Sequence, residues 1–175
     1  MTDLLNGKID FFGFEVNPST TLQEFETAVG SKFTKEVDVI PKTGHVITTF
    51  VLNGDIGVWE FAENDTRFSY ELYGMKFLNV VIDFSQEKIW QIKLITNMVS
   101  FVVGADGKRR WSSEKENQNF EIMNNWTIKA LGKPNSKLSS DSALWYEFDW
   151  GEIQPTPLSA WGSPGNSTLY ITYRK

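Results

Sequence analysis

The sequence predicts a single α+β domain over residues 1–175, with an antiparallel β-meander, two helices and a C-terminal β-hairpin. Three observations predict this fold class. Apolar residues alternate at period two through the middle of the chain, two segments combine helix-start signals with helical spacing, and no repeat or linker divides the chain. With 175 residues, of which 41% are hydrophobic, the chain is long enough to bury one core without disulfides.

The N-terminal region predicts a strand followed by a short helix. Residues 8–16 are rich in aromatic and aliphatic side chains that roughly alternate, which is typical of a strand. A helix is predicted over residues 21–30, because Thr21 and Glu24 have the spacing of a capping box and Gly30 is a typical C-terminal stop. The apolar residues between these signals recur at helical spacing: Leu22, Phe25 and Val29.

The middle of the chain predicts the meander. From residue 36 to about residue 96 the pattern has period two and is interrupted at short intervals by turn residues such as Asn53 and Gly54. Both faces of the segment 76–84 are largely apolar, which predicts a central strand or one that is covered on its second side. The strands are predicted over residues 45–52, 56–63, 67–73, 76–84 and 89–96.

The C-terminal part predicts a long helix and a hairpin. The helix is predicted over residues 113–131, where Ser113 and Glu116 have capping-box spacing and a Gly and a Pro follow the last turn. Residues 144–150 then alternate strictly between apolar and polar. We predict that they pair directly with the last strand, residues 168–173, through a loop rich in proline and glycine.

Composition limits the kinds of function. The net charge is -5, the pI is about 5.0 and there is no cysteine, so disulfides and thiol chemistry are excluded. An acidic balance argues against nucleic acid as a partner, because binding phosphates requires an excess of Lys and Arg. The basic trio at residues 108–110 is interpreted as the solvated end of a hairpin. With no apolar stretch near ~20 residues, we expect a cytoplasmic protein without a membrane partner.

No catalytic or metal-binding signature is present. His45 is the only histidine, and neither a nucleophile elbow nor a phosphate-binding glycine loop accompanies it. A zinc site normally needs several His or Cys ligands. The sequence therefore predicts no enzyme activity, no catalytic residue, no metal and no cofactor.

A second interpretation stays open, namely a small-molecule or carbohydrate binding module or a hydrolase. Glu147 and Asp149 lie at alternate positions of a predicted strand, about 6 to 7 Å apart, a separation that suits a general acid and base. Tryptophans at alternate strand positions can form a stacking platform for a sugar. More often such tryptophans pack in the hydrophobic core. The tryptophans considered for a platform are Trp59, Trp90 and Trp145.

The two ends of the chain resemble a family of bacterial proteins. Residues 4–16, followed by a Ser/Thr-rich cap and a short helix, are similar to the opening of small β-rich immunity proteins of contact-dependent growth inhibition and related polymorphic-toxin systems. The close is similar too, with the helix end at residues 131–134 and the strands at 146–151 and 170–173. The resemblance covers about a third of the chain. It implies a non-enzymatic protein that neutralises a cognate toxin, often a nuclease, by stoichiometric binding.

The resemblance agrees with the acidic charge, since a nuclease toxin is usually basic and an acidic domain can steer and cover it. An open sheet edge could also accept a strand of the toxin. An orphan structural subunit with no toxin fits the same surface and stays a third possibility. Four of the predicted toxin-binding residues lie on or beside the second and third meander hairpins, where acidic residues are dense: Glu60, Glu63, Asp65 and Glu71. The fifth, Asp83, lies on a mixed face nearby.

Overall fold

The structure, a computed structural model, describes residues 2–52, 70–139, 144–156 and 166–174. It confirms an α+β domain built mostly of antiparallel strands. The two α-helices of the described residues are α1 (Leu22–Val29) and α2 (Ser113–Leu131). The strands are β1 (Ile9–Phe11), β2 (Phe14–Val16), β3 (Thr34–Ile40), β4 (His45–Val51), β5 (Tyr70–Leu72), β6 (Met75–Phe77), β7 (Asn79–Ser85), β8 (Lys88–Val99), β9 (Phe101–Val103), β10 (Arg109–Trp111), β11 (Tyr146–Phe148), β12 (Gly151–Thr156) and β13 (Asn166–Tyr173).

Seven strands form the main sheet, in the order β11-β12-β13-β8-β7-β4-β3. The hairpins β3–β4 and β7–β8 follow the predicted meander. The sheet departs from it where β7 lies directly beside β4, while β5 and β6 pair with each other in a separate sheet. The predicted strand over residues 56–63 lies outside the described residues. The predicted strand over residues 76–84 is divided, because residues 75–77 form β6 in the small sheet and residues 79–85 form β7 in the main sheet. Every residue of β7 is buried, as predicted for a central strand.

The main core lies on one face of this sheet and is rich in phenylalanine. The capping box of α1 is confirmed, because Thr21 Oγ1 accepts from the Glu24 backbone N–H and Glu24 accepts from the Thr21 backbone N–H. This fixes the helix so that Phe25 is fully buried. Its ring centroid lies 5.0 Å from that of Phe50 and 5.5 Å from that of Phe84, so α1 is held on strands β4 and β7.

The long helix α2 has the predicted bounds but a different cap. Ser112, not Ser113, is the N-cap, and its Oγ accepts from the Lys115 backbone N–H. Glu116 accepts instead from the Trp111 indole N–H at 2.9 Å. Two adjacent serines make the capping position ambiguous in the sequence, and the end of β10 at residue 111 places the first of them at the cap. The buried residues of α2 are Asn119, Met123, Asn124 and Thr127.

The C-terminal pairing differs from the prediction. The strand β13 pairs with β12, and β12 pairs with β11, so β13 does not pair directly with residues 144–150. The prolines from Pro155 onward predict a loop that begins at residue 154, whereas β12 continues as a strand to Thr156. In the sheet Pro155 lies opposite Leu169 and ladder pairing continues on either side of it.

The first predicted strand is a hairpin, β1–β2. The chain reverses at Phe12 and Gly13, which both have positive φ angles, 56° and 88°, as a tight hairpin turn requires. The Asp10 carboxylate accepts from the Gly13 backbone N–H. The sequence did not predict this turn, because Phe12 is bulky and a bulky residue with a positive φ angle is uncommon.

Two tyrosines, the half-buried Tyr70 and the buried Tyr173, link the N-terminal region to the rest of the domain. The Tyr70 hydroxyl donates to the Asp10 carbonyl oxygen, and the Tyr173 hydroxyl donates to the Gly7 carbonyl oxygen. Burial raises the pKa of Tyr70 to about 12 and raises the pKa of Tyr173 well above its usual range. Both hydroxyls therefore stay protonated donors at neutral pH. Among the described residues, no helix is long and apolar enough to cross a membrane.

Candidate partner-binding face

The predicted toxin-binding residues fall in different parts of the structure. Glu60, Glu63 and Asp65 lie outside the described residues. Glu71 is exposed on β5, directly opposite Lys76 of β6. Asp83 lies on β7 in the main sheet and is buried, so the structure does not place it on the small sheet with Glu71. Their role in partner binding stays a prediction.

Asp83 is bound to its neighbours on the sheet face opposite the main core. The Thr49 hydroxyl donates to one carboxylate oxygen at 2.8 Å, and Lys93 Nζ lies 2.7 Å from the other. The Asp83 side chain is 5% exposed and the Lys93 side chain 23% exposed. A buried carboxylate is costly unless it is paired and hydrogen-bonded. These contacts therefore fix the position of Asp83 on this face.

A continuous row of polar residues crosses this second face of the sheet. Each member lies opposite the next in the strand register, from one edge strand to the other, and the row has one residue from each of the seven strands. No apolar residue interrupts it. In order from β3 to β11 the row is Glu36, Thr49, Asp83, Gln91, Thr172, Glu152 and Glu147. We name these seven residues the polar row.

The polar row is acidic. Four of its seven residues are carboxylates and none is basic. Glu36 and Glu147 at its two ends are exposed, and Glu152 is half-buried. Glu147 and Glu152 lie directly opposite each other, an arrangement of like charges that destabilises a strand pair. A basic group supplied by a partner would relieve this repulsion.

Hydrogen bonds hold the row in place. The Gln91 side-chain amide donates to the Thr172 hydroxyl at 3.0 Å, and the Trp145 indole N–H donates to Glu152 at 3.0 Å. Together with the Thr49 and Lys93 contacts to Asp83, they order most of the face before any partner arrives. A preorganised face loses less side-chain entropy when it binds.

The structure also places the residues considered for catalysis. His45 Nε2 lies 2.9 Å from the hydroxyl oxygen of Ser85, but no carboxylate in the described part of the chain contacts the other ring nitrogen, which a triad requires. Within the described ranges, no group of three or more His, Cys, Asp or Glu residues is arranged to hold a metal ion. Glu147 faces Glu152 across the β11–β12 pair, and Asp149 is exposed beyond β11.

The proposed tryptophan platform is not assembled from the described residues. Trp90 is half-buried on β8, and Trp145 precedes β11. The order of the sheet separates β8 from β11 by three strand spacings, or about 14 Å. Trp145 is also bonded to Glu152. Trp59 lies outside the described residues.

A groove of about 710 Å³ lies between α2 and the segment that follows it. Asn124 lines it, is about nine-tenths buried, and has a side-chain oxygen without a hydrogen-bond partner. A buried polar atom left unpaired is uncommon and suggests a site for a hydrogen-bond donor. Other lining residues are Asn117, Phe120, Glu121, Ile128 and Leu144.

Comparison of the chain with protein-family models, with curated proteins and with solved structures found no match. The candidate face therefore depends on its own geometry. Sequence reasoning missed Glu36 and Glu152, because the register between strands far apart in the chain creates the polar row. The sequence does contain a local signal for part of the face. Glu36 and Asp38 alternate with Val37 and Val39, so the two carboxylates lie on the same face of a strand.

Proposed function

We propose that this protein is a non-enzymatic immunity protein that binds a cognate toxin, a basic nuclease domain, and neutralises it by stoichiometric occlusion. The observation that carries the proposal is the polar row across one face of the sheet, in which three of the four carboxylates are at least partly exposed and the fourth, Asp83, is paired with Lys93. The resemblance of the chain ends to immunity proteins and the net charge of -5 point in the same direction.

The size of the face supports a protein partner. Seven strands span six spacings, or about 29 Å, which is wide enough for one side of an interface that buries about 1,600 Å² in total. A row of carboxylates accelerates association with a basic domain and selects it over acidic ones. The toxin would lose access to nucleic acid because the same basic surface contacts phosphate and the polar row.

The experiment is co-expression of the protein with the C-terminal domain encoded by the gene immediately upstream. We expect a one-to-one complex and protection from growth arrest. The double variant Glu36→Lys, Glu147→Lys changes only exposed ends of the row and should weaken binding at low salt by at least about tenfold, chiefly through slower association.

The matched control is Glu114→Lys, Glu121→Lys, which makes the same change in net charge on the exposed surface of α2. It should bind within about twofold of the unchanged protein at equal ionic strength, as expected for charges outside the interface. If both variants lost affinity equally, the polar row would be rejected as the binding face, and net charge alone would explain the loss. If the domain encoded upstream neither bound this protein nor arrested growth, the immunity function would be rejected.

The groove along α2 supports a second candidate, binding of a small neutral ligand. Asn124 offers an acceptor, and Phe120 and Ile128 offer apolar surface. N-acetylglucosamine, which carries an N–H donor beside a methyl group, is a suitable probe. Saturable shifts of the α2 amide signals that disappear in Asn124→Leu would support ligand binding. Unchanged signals at millimolar sugar would reject this ligand class.

A further inference from the structure

Among the described residues, the edge strand β3 has a strand partner on one side only. All seven of its residues are exposed, and it pairs on one side with β4. In the described part of the chain, no other group bonds to the backbone of residues 34–39. In a paired strand, backbone N–H groups point alternately toward and away from the partner. The outward groups of β3 thus form a template for another strand.

The opposite edge of the same sheet is closed. The Asn135 side chain donates to the Glu147 carbonyl oxygen at 2.6 Å and accepts from its N–H at 2.8 Å. The Ser139 hydroxyl does the same for Trp145, at 2.8 Å and 2.7 Å. Side chains therefore occupy the outward backbone groups at the β11 edge. Only one of the two edges is protected against strand addition in this way.

The side chains of β3 are suited to a partner strand. Val37 is 52% and Val39 57% exposed on the side of α1. Glu36 and Asp38 are exposed on the other side, where Glu36 begins the polar row. Lys35 is already neutralised by Glu26, at 2.6 Å. An added strand would bury apolar surface on one side and meet two carboxylates on the other.

The charges disfavour pairing with a second copy of β3. Two copies related by a two-fold axis pair antiparallel, and three registers pair five or more residues of this seven-residue strand. In these registers Glu36 lies opposite Asp38, Glu36 opposite Glu36, or Asp38 opposite Asp38. Like charges directly opposite destabilise a strand pair. The open edge therefore selects a different, basic partner.

We propose that β3 binds its partner by strand addition, and that the added segment is extended and alternates basic with apolar residues. The basic character of the partner rests on the proposed function, and the edge geometry is independent of it. Lysines at alternate positions face Glu36 and Asp38, apolar residues face Val37 and Val39, and the main chain bonds to the outward groups of β3.

The test uses the full chain and a capped heptapeptide of alternating lysine and valine, followed by NMR and amide hydrogen exchange. Every second amide of residues 34–40 should gain protection when the peptide binds, while the intervening amides, bonded to β4, stay as they are. A peptide of alternating glutamate and valine should bind at least about tenfold more weakly, because both acidic contacts become repulsive.

Two controls separate strand addition from simple charge attraction. N-methylation of alternate peptide residues, on the side that would pair, should abolish the protection without changing the charge. The variant Glu36→Lys, Asp38→Lys should reverse the preference and bind the glutamate peptide. No protection of β3 at millimolar lysine peptide, or binding that survives N-methylation, would overturn the inference.

The outcomes distinguish this inference from the proposed function. If this protein binds the upstream toxin and protects cells, but neither the toxin nor the peptide protects every second β3 amide from exchange, strand addition is wrong and the immunity function stands. If the toxin does not bind and the peptide adds to β3, the immunity function is wrong and the open edge stands as a strand-binding site.

Discussion

Replacing Lys93 by methionine is expected to lower the free energy of unfolding by about 3 kcal/mol, the low end for breaking a buried ion pair. The reason is the environment of Asp83, whose side chain is 5% exposed. The Thr49 hydroxyl would remain as a neutral donor to Asp83, but among the described residues no cation would replace Lys93. The partial exposure of Lys93 keeps the expected loss at the low end.

Urea unfolding of Lys93→Met, Asp83→Leu and the double variant measures this effect. The double variant should recover most of the stability that Lys93→Met loses, since two apolar residues replace the pair without leaving a charge behind. A loss below about 1 kcal/mol in Lys93→Met would instead class the pair with exposed salt bridges. The ion pair with Lys93 would then contribute little to holding Asp83 in the polar row.

The elements that the sequence predicted well have local causes. Both helices begin at side-chain caps and repeat apolar residues within a few positions, so α1 and α2 were placed nearly to the residue. The hairpin β9–β10 agrees with the interpretation of the basic trio at residues 108–110 as the end of a hairpin, and the glycines at 104 and 107 flank its turn. Each signal lies within the element that it describes.

The features that the sequence did not predict depend on contacts between distant segments. Alternation identified β4 and β7 as strands, but nothing local shows that they are neighbours. The polar row joins Glu36 to Glu147 through five other strands, and its acidic character emerges only when all the registers are fixed. Of the predicted site residues in the described part, Glu71 is predicted from the acidic density of its hairpin and Asp83 from its place on a mixed face nearby. The structure places Glu71 on an exposed strand and Asp83 at a buried position of the main sheet, a difference that the local pattern does not show.

The substitution Gly151→Ala is expected to destabilise the domain by about 3 kcal/mol, at the upper end of the usual range for overpacking. A Cβ on Gly151 would overlap the Thr172 carbonyl oxygen, which is backbone and cannot rotate away. The control is Gly30→Ala, because Gly30 has φ -55° and its Cβ would meet the flexible Glu26 side chain at 3.2 Å. Its stability should change by less than about 1 kcal/mol.

The same substitution tests how the polar row is built. Gly151 is the first residue of β12 and lies close to the β13 backbone. The next residue, Glu152, lies opposite Thr172 on one side and Glu147 on the other. If β12 slipped by one residue to relieve the overlap, Glu152 would turn to the core face of the sheet. Gly151→Ala should therefore weaken partner binding more than Gly30→Ala does, measured below the unfolding temperature of both variants. Equal stability and equal binding in the two variants would contradict the β12–β13 register, and with it the continuity of the polar row.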